Sequence, residues 1–298
     1  MQELHVIFGF DMETDIGRWT TDYRGILEGT PRILDVFNQN GIQASFLFTA
    51  ISAMKHPQIV KRIKTEGHEI GCHTYQHNIW GKQLYDVPDY MCVRPYEMKA
   101  RLKEATELIT SISGERPVSF RTPCLFGSTE LIVALDELSY KIDASYPVYY
   151  FEKHLLPYHP SRKDWREEGN LKILEIPNFA DITLPSKDKY KRDRDQWPRF
   201  RLNGADDVKK CVDNVIELQI EKDQPSVICF YMHPWEFVEM PKTIDSSEAR
   251  IEIAEFLWKN CGIPAVQELD KLIKLLKADG AIFHTMKEFA SVWEKIKA

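Results

Sequence analysis

Short β-rich apolar runs alternate with amphipathic helical stretches along all 298 residues, and this alternation constrains the fold more than any other feature of the chain. His5-Val6-Ile7-Phe8-Gly9-Phe10 opens the series as a nearly continuous run, the pattern of a strand buried on both faces of a parallel sheet. Thr30-Pro31 reads as a helix start, a capping hydroxyl followed by proline at the first helical position, and Gly41 closes that helix. A second strand is predicted over 42–48, a second helix over 57–66 and a third strand over 68–73. Further strands are predicted at 118–121, 140–145, 171–176, 226–232 and 281–284, and helices at 95–113, 128–138, 206–221, 246–260 and 265–278. Thr285 with Glu288 forms a capping box before a closing helix. Seven or eight strands in this order point to a closed or nearly closed parallel α/β barrel rather than an open doubly wound sheet.

One domain, 1–298, is expected, with insertions at about 146–170 and 181–205 where the period lapses. The 43% apolar content, with seven Trp and fifteen Phe, supplies a sizeable core. A net charge of −6, from 39 basic and 45 acidic residues without a long basic block, argues against nucleic acid or anionic membranes as partners. The six cysteines form no CxxC pair, which argues against a zinc ribbon or a thioredoxin-like centre and for reduced thiols. The amino terminus has no basic head, and its apolar run is too short for a signal peptide or a membrane span; a soluble, cytoplasmic protein is the expectation. Residues 187–201 read most simply as a solvated charged loop that could also cover a site or join subunits of a homo-oligomer.

Polar residues recur where the predicted strands end: Asp11 and Glu13, His73 and His77, Arg121, Asp143 and His233. In a parallel barrel those ends share one face, where such folds place their active sites. Asp11 and Glu13 stand two apart, so an extended chain presents both on the same side. His73 and His77 flank a turn and form a common first-row metal pair that a carboxylate completes. Glu13 is the first choice for that carboxylate and Asp15 a weaker one. His233 emerges from an apolar run and suits proton delivery near neutral pH. Arg121 and Asp143 could form an ion pair that fixes Asp11. Trp19, Trp80 and Trp235 could rim a sugar site, although ordinary loop packing explains each one singly.

The ordered set Phe10-Asp11-Met12-Glu13, His73-Thr74-Tyr75-Gln76-His77, Phe120-Arg121-Thr122-Pro123, Asp143-Ala144-Ser145-Tyr146 and Met232-His233-Pro234-Trp235-Glu236 resembles the five motifs of the polysaccharide deacetylase family, the NodB-like carbohydrate esterases. The resemblance implies a distorted (β/α) barrel of seven or eight strands. It further implies Asp11 as catalytic base, His73 and His77 as metal ligands, Arg121 and Asp143 as groups that orient the base, and His233 as general acid. The cofactor it implies is a divalent ion, zinc foremost. The substrate it implies is an N-acylated sugar or glycan that loses its acyl group, most commonly acetyl. The DxE opening and HPWE ending resemble a subgroup linked to surface-glycan synthesis. Two departures stand out: Met12 separates Asp11 from Glu13 where adjacent aspartates are common, and Tyr231 replaces a frequent leucine. Two other readings remain open, hydrolysis of a cyclic imide or ureide on the same fold, as in an allantoinase, and a catalytically silent glycan-binding relative. A non-haem iron oxygenase is disfavoured by the βα alternation.

Overall fold

The computed structural model describes residues 3–17, 20–86, 92–245 and 247–297. Its sheet contains β1 (Leu4–Met12), β2 (Ser45–Phe48), β3 (Glu69–Cys72), β4 (Ser119–Phe120), β5 (Ile142–Asp143), β6 (Leu174–Glu175) and β7 (Ser226–Met232). β8 (Thr243–Asp245) and β9 (Arg250–Glu252) form a separate antiparallel hairpin, after which β10 (Ile282–His284) returns to the sheet as its eighth strand. All eight are parallel, as the apolar runs predict.

β1 is the axis, and every one of its residues is buried. β7 runs along one edge of it from Leu4 to Phe10. The other edge is shared, with β10 against His5–Ile7 and β2 against Gly9–Met12. β3 to β6 follow in order beyond β2. Among the described residues no ladder joins β6 to β7, which meet only through the loop after β6, where the Phe179 N–H donates to the Cys229 carbonyl at 2.8 Å. That gap is the distortion of the barrel.

The helices that cover the sheet are α1 (Thr30–Asn40), α2 (Ala50–Lys55), α3 (Pro57–Thr65), α4 (Pro95–Ser113), α5 (Thr129–Glu137), α6 (Val148–Phe151), α7 (Gln196–Asn203), α8 (Ala205–Glu221), α9 (Glu255–Trp258), α10 (Ile263–Ala278) and α11 (Met286–Ile296). Rows such as Ile33, Leu34 and Phe37 of α1 and Leu269, Leu272 and Leu276 of α10 bury against it at helical spacing. The Thr285–Glu288 capping box is present at the start of α11.

Two expectations give way. Residues 246–260 do not form one helix: Ile244 and Ile251 face each other across the β8–β9 hairpin, and only α9 remains helical. β-branched residues suit that pairing better than a helix. Thr30 is not a cap either, because a π-helical turn, Gly25–Gly29, runs into α1 ahead of it. Gly25 and Gly29 let this turn press on the segment after β7: a methyl group at Gly25 would lie 2.3 Å from the Trp235 amide nitrogen, and one at Gly29 2.1 Å from the Pro234 oxygen. The sheet's carboxyl edge is thereby clamped directly behind His233.

Candidate active site

Asp11, the penultimate position of β1, and Glu13, just beyond its end, are 3% and 4% exposed, while Met12 between them turns into the core. Thr74 adopts a left-handed conformation, φ 72°, and turns the chain so that His77 comes back beside His73, with ring centroids 5.4 Å apart. Both rings point at one oxygen: His73 Nε2 lies 3.2 Å and His77 Nε2 2.6 Å from Glu13 Oε2. The three donor atoms lie within 4.8 Å of one another.

The tautomer of His73 is set by its other nitrogen. Nδ1–H donates to the Arg121 carbonyl at 2.8 Å, which leaves the lone pair of the neutral ring on Nε2, facing a carboxylate. Two acceptors this close need a cation or a proton between them. Two neutral imidazoles with one carboxylate are a donor set for a first-row divalent ion, so the residues fit such a group. Burial pushes the Glu13 carboxyl up, but His77, His73 and His233 outweigh it and hold the group well below its usual range.

Asp11 is held by Arg121, whose Nη1 donates to Oδ1 at 2.8 Å, while Nε donates to the Ala144 carbonyl at 2.9 Å. The guanidinium is fully buried, and Gly9 makes room for it: a methyl group there would lie 2.7 Å from Nη2. Asp143 takes other partners than the expected ion pair with Arg121. It accepts from the Ser145 hydroxyl and meets the Glu175 carboxyl, which itself accepts the Ser145 and Tyr146 N–H groups at 2.9 and 2.8 Å. Burial raises both carboxyls, Asp143 to about 6 and Glu175 well above its ordinary value, so the pair retains a proton. Asp143 therefore acts on Arg121 through the 143–145 backbone and its charge, not by contact.

His233 caps the turn Pro234–Phe237 after β7. Glu236 Oε1 receives its backbone N–H at 2.8 Å and its Nδ1 at 3.0 Å, and Glu236 Oε2 takes Arg201 Nε at 2.6 Å. The ring stacks on Trp235, 5.3 Å between centroids, and meets the edge of Trp197. Nε2 faces inward, 3.9 Å from Glu13 Oε1 and 4.0 Å from Asp11 Oδ2. Burial lowers the affinity of this ring for a proton, but Glu236, Glu13 and Asp11 together raise it above the ordinary value.

Asp15 stands apart from this cluster. Its two oxygens accept the Arg24 and Gly25 N–H groups at 2.9 and 2.8 Å, so it caps the turn leading into α1 instead of serving the histidines. Trp80 is wholly buried, its carbonyl accepting the Ser128 hydroxyl, and does not rim the site. Trp235 does line it, and Trp19 lies outside the described residues. Residues 187–201 are not a solvated loop: they lead into α7, bring Trp197 to the site and bury Arg201. Glu236 stands three residues beyond His233 within the HPWE motif, a spacing that could have flagged it. Arg201 and Glu175 carry no such signal.

Asp11, Glu13, His77 and His233 form the floor of a cavity of about 600 Å³. Tyr85, Leu125, Tyr190, Arg192, Trp197 and Phe256 are among its walls.

Residues 15–142, which include His73, His77 and Arg121, match the family model for polysaccharide deacetylase. A peptidoglycan-N-acetylglucosamine deacetylase of Bacillus cereus is 36% identical over 97 residues, covering 33% of this chain and 32% of that protein. A chitin deacetylase of Colletotrichum lindemuthianum is 28% identical over 101 residues, 32% of this chain and 37% of that one. The chain thus spans about a third of the length of these curated relatives. Over nearly the whole chain the fold is similar to an allantoinase, with a TM-score of 0.65 at 15% identity and coverage of 99% and 91%. It is equally similar to a "probable Polysaccharide deacetylase" from Pseudomonas aeruginosa PAO1, with a TM-score of 0.65 at 14% identity and coverage of 99% and 92%. The polysaccharide deacetylase model thus matches this chain over the segment that carries its histidine and arginine motifs, and from end to end the fold is similar to these solved structures.

Proposed function

We propose that this chain is a metal-dependent hydrolase of an amide C–N bond, removing an N-acyl group, acetyl foremost, from an amino sugar or glycan. One observation carries the reading: Asp11, Glu13, His77 and His233, from three separate strand ends, meet at one cavity floor, with His73 against Glu13. Glu13, His73 and His77 would hold the ion, with zinc the first choice. A bound divalent ion would supply Lewis-acid polarisation of the amide and a more acidic water.

The chain's own residues account for the proton transfers. Arg121 occupies Oδ1 of Asp11 and leaves Oδ2 facing the cavity, placed to accept the proton of the attacking water. The water oxygen bonds to the acyl carbon, the C–N bond breaks, and His233 Nε2 delivers a proton to the departing nitrogen. The products are a carboxylate and an amine. Glu236 and Arg201 fix the His233 ring from behind. A second reading, opening of a cyclic imide or ureide, is favoured by the carbon-rich cavity wall and differs in its product, since ring opening releases no acetate.

The test is acetate release from N-acetylated amino sugars and oligosaccharides by purified protein, before and after chelation. Activity should vanish on stripping and return with a divalent ion. Asp11→Asn and His233→Ala should each lower kcat by about a hundred- to ten-thousandfold. Full activity after stripping, or either variant within tenfold of wild type, contradicts the proposal.

A further inference from the structure

We infer that the substrate is a compact N-acyl compound with a flat apolar body, held singly within the cavity, and not an internal unit of a glycan chain. This rests on the amidohydrolase reading above and narrows its substrate class.

The mouth of the cavity is tied across. The segment leading into α7 is tied to the opposite rim. The Tyr190 hydroxyl donates to Asp86 Oδ2 at 2.8 Å, and the Arg192 guanidinium lies over the rings of Tyr85 and Tyr149 at 5.4 and 4.9 Å. Farther along, Trp197 meets Phe256 of α9 edge to face at 5.9 Å. Loops after β3, before α7 and after β9 are thereby joined around the opening. These ties narrow the opening on the side of Tyr85, Tyr190 and Phe256, and so leave less room for the two neighbours of an internal sugar than for a compact molecule.

A sugar brings several hydroxyls, each of which needs a partner when water is excluded; one left unpaired weakens binding by roughly five- to a hundredfold. The polar groups of this wall are already used among themselves. Arg192 is taken by the Tyr149 hydroxyl and Asp195, Asp195 also accepts the Tyr231 hydroxyl, and Asp193 is taken by the Ser186 hydroxyl and the Lys187 N–H. What faces the cavity above the floor is mostly carbon, from Ile16, Leu125, Trp197, Phe256 and Leu257. The indole nitrogens of Trp197 and Trp235 are buried away from it. A volume of about 600 Å³ is that of a small-molecule site.

The experiment compares metal-loaded enzyme on an N-acetyl arylamine, an aryl N-acetylglucosaminide and acetylated chitopentaose. The N-acetyl arylamine should show kcat/KM at least tenfold above the pentamer, with the aryl glucosaminide between them, and the pentamer should lose no acetyl group from its internal units. Tyr190→Phe, which releases the tie to Asp86 without emptying the cavity, should narrow the ratio. Equal or faster turnover of the pentamer, with internal units deacetylated, overturns the inference and leaves the amidohydrolase reading standing. Binding of the same compounds to the Asp11→Asn protein, by calorimetry, separates the two claims. Tighter binding of the aryl compounds with no hydrolysis by wild type removes the hydrolase reading alone. Tighter binding of the pentamer removes this inference.

Discussion

Replacing Glu236 by glutamine tests the support behind His233. Glu236 and Arg201 are both fully buried, and the carboxylate accepts from three donors: the His233 N–H, His233 Nδ1 and Arg201 Nε. A glutamine keeps the shape but turns one acceptor oxygen into a donor, so one of those groups must face an N–H. It also leaves the Arg201 charge without its counter-ion. Removing one partner of a buried ion pair costs about 3–5 kcal/mol, whereas replacing both partners by apolar residues of similar volume is often neutral. Equilibrium urea unfolding of Glu236→Gln should therefore show a loss of that size. Arg201→Met with Glu236→Leu should recover most of it. Activity should follow a different pattern, because the double variant has no acceptor to hold the imidazole: kcat should stay low there even where stability returns. A Glu236→Gln protein within about 1 kcal/mol of wild type, or full activity in the double variant, would refute the reasoning.

The Asp143–Glu175 pair gives a pH dependence of definite sign. The folded chain holds Asp143 up to about 6, while the unfolded carboxyl releases its proton near its ordinary 3.8, so between those values the folded state binds more protons. Stability contributed by this group is therefore present at low pH and lost as pH rises from about 4 to 6. In Asp143→Asn, which keeps the shape and removes the titrating group, urea unfolding across that window should lose this share of the downward slope. An unchanged slope counts against the shared proton. Gly9→Ala should push the Arg121 guanidinium off Asp11 and lower kcat at least tenfold with little change in metal content, measured on the same preparation; unchanged kcat removes Arg121 as the group that positions Asp11. Asp15→Ala should weaken the start of the 25–40 helical segment by about 0.5–2 kcal/mol while leaving bound metal at wild-type level, and loss of the ion would restore Asp15 as a ligand candidate.

The barrel was legible because its strands are buried on both faces and their apolar runs stand out, from the residues around Val6 and Ile7 to those around Ile228. Asp11, His73, Arg121 and His233 were legible for the same reason: each is a polar residue at the end of such a run. Glu175 was not, since its partnership with Asp143 depends on the register of β5 against β6, strands of two residues each. Arg201 was hidden in a charged segment whose burial follows from α7 folding over the β7 end, a tertiary event that local composition does not record. The same limit applies to the helix expected over 246–260, where the partner across the hairpin outweighs helix propensity.

Glu13, His73 and His77 are proposed to hold one ion between Asp11 and His233. Elemental analysis of purified wild type beside His77→Ala and Glu13→Ala, with circular dichroism confirming that all three are folded, tests it most directly. Wild type should carry close to one equivalent of a divalent first-row metal per chain and both variants at least tenfold less, with acetate release following the metal. Stoichiometric metal retained in either variant would contradict it.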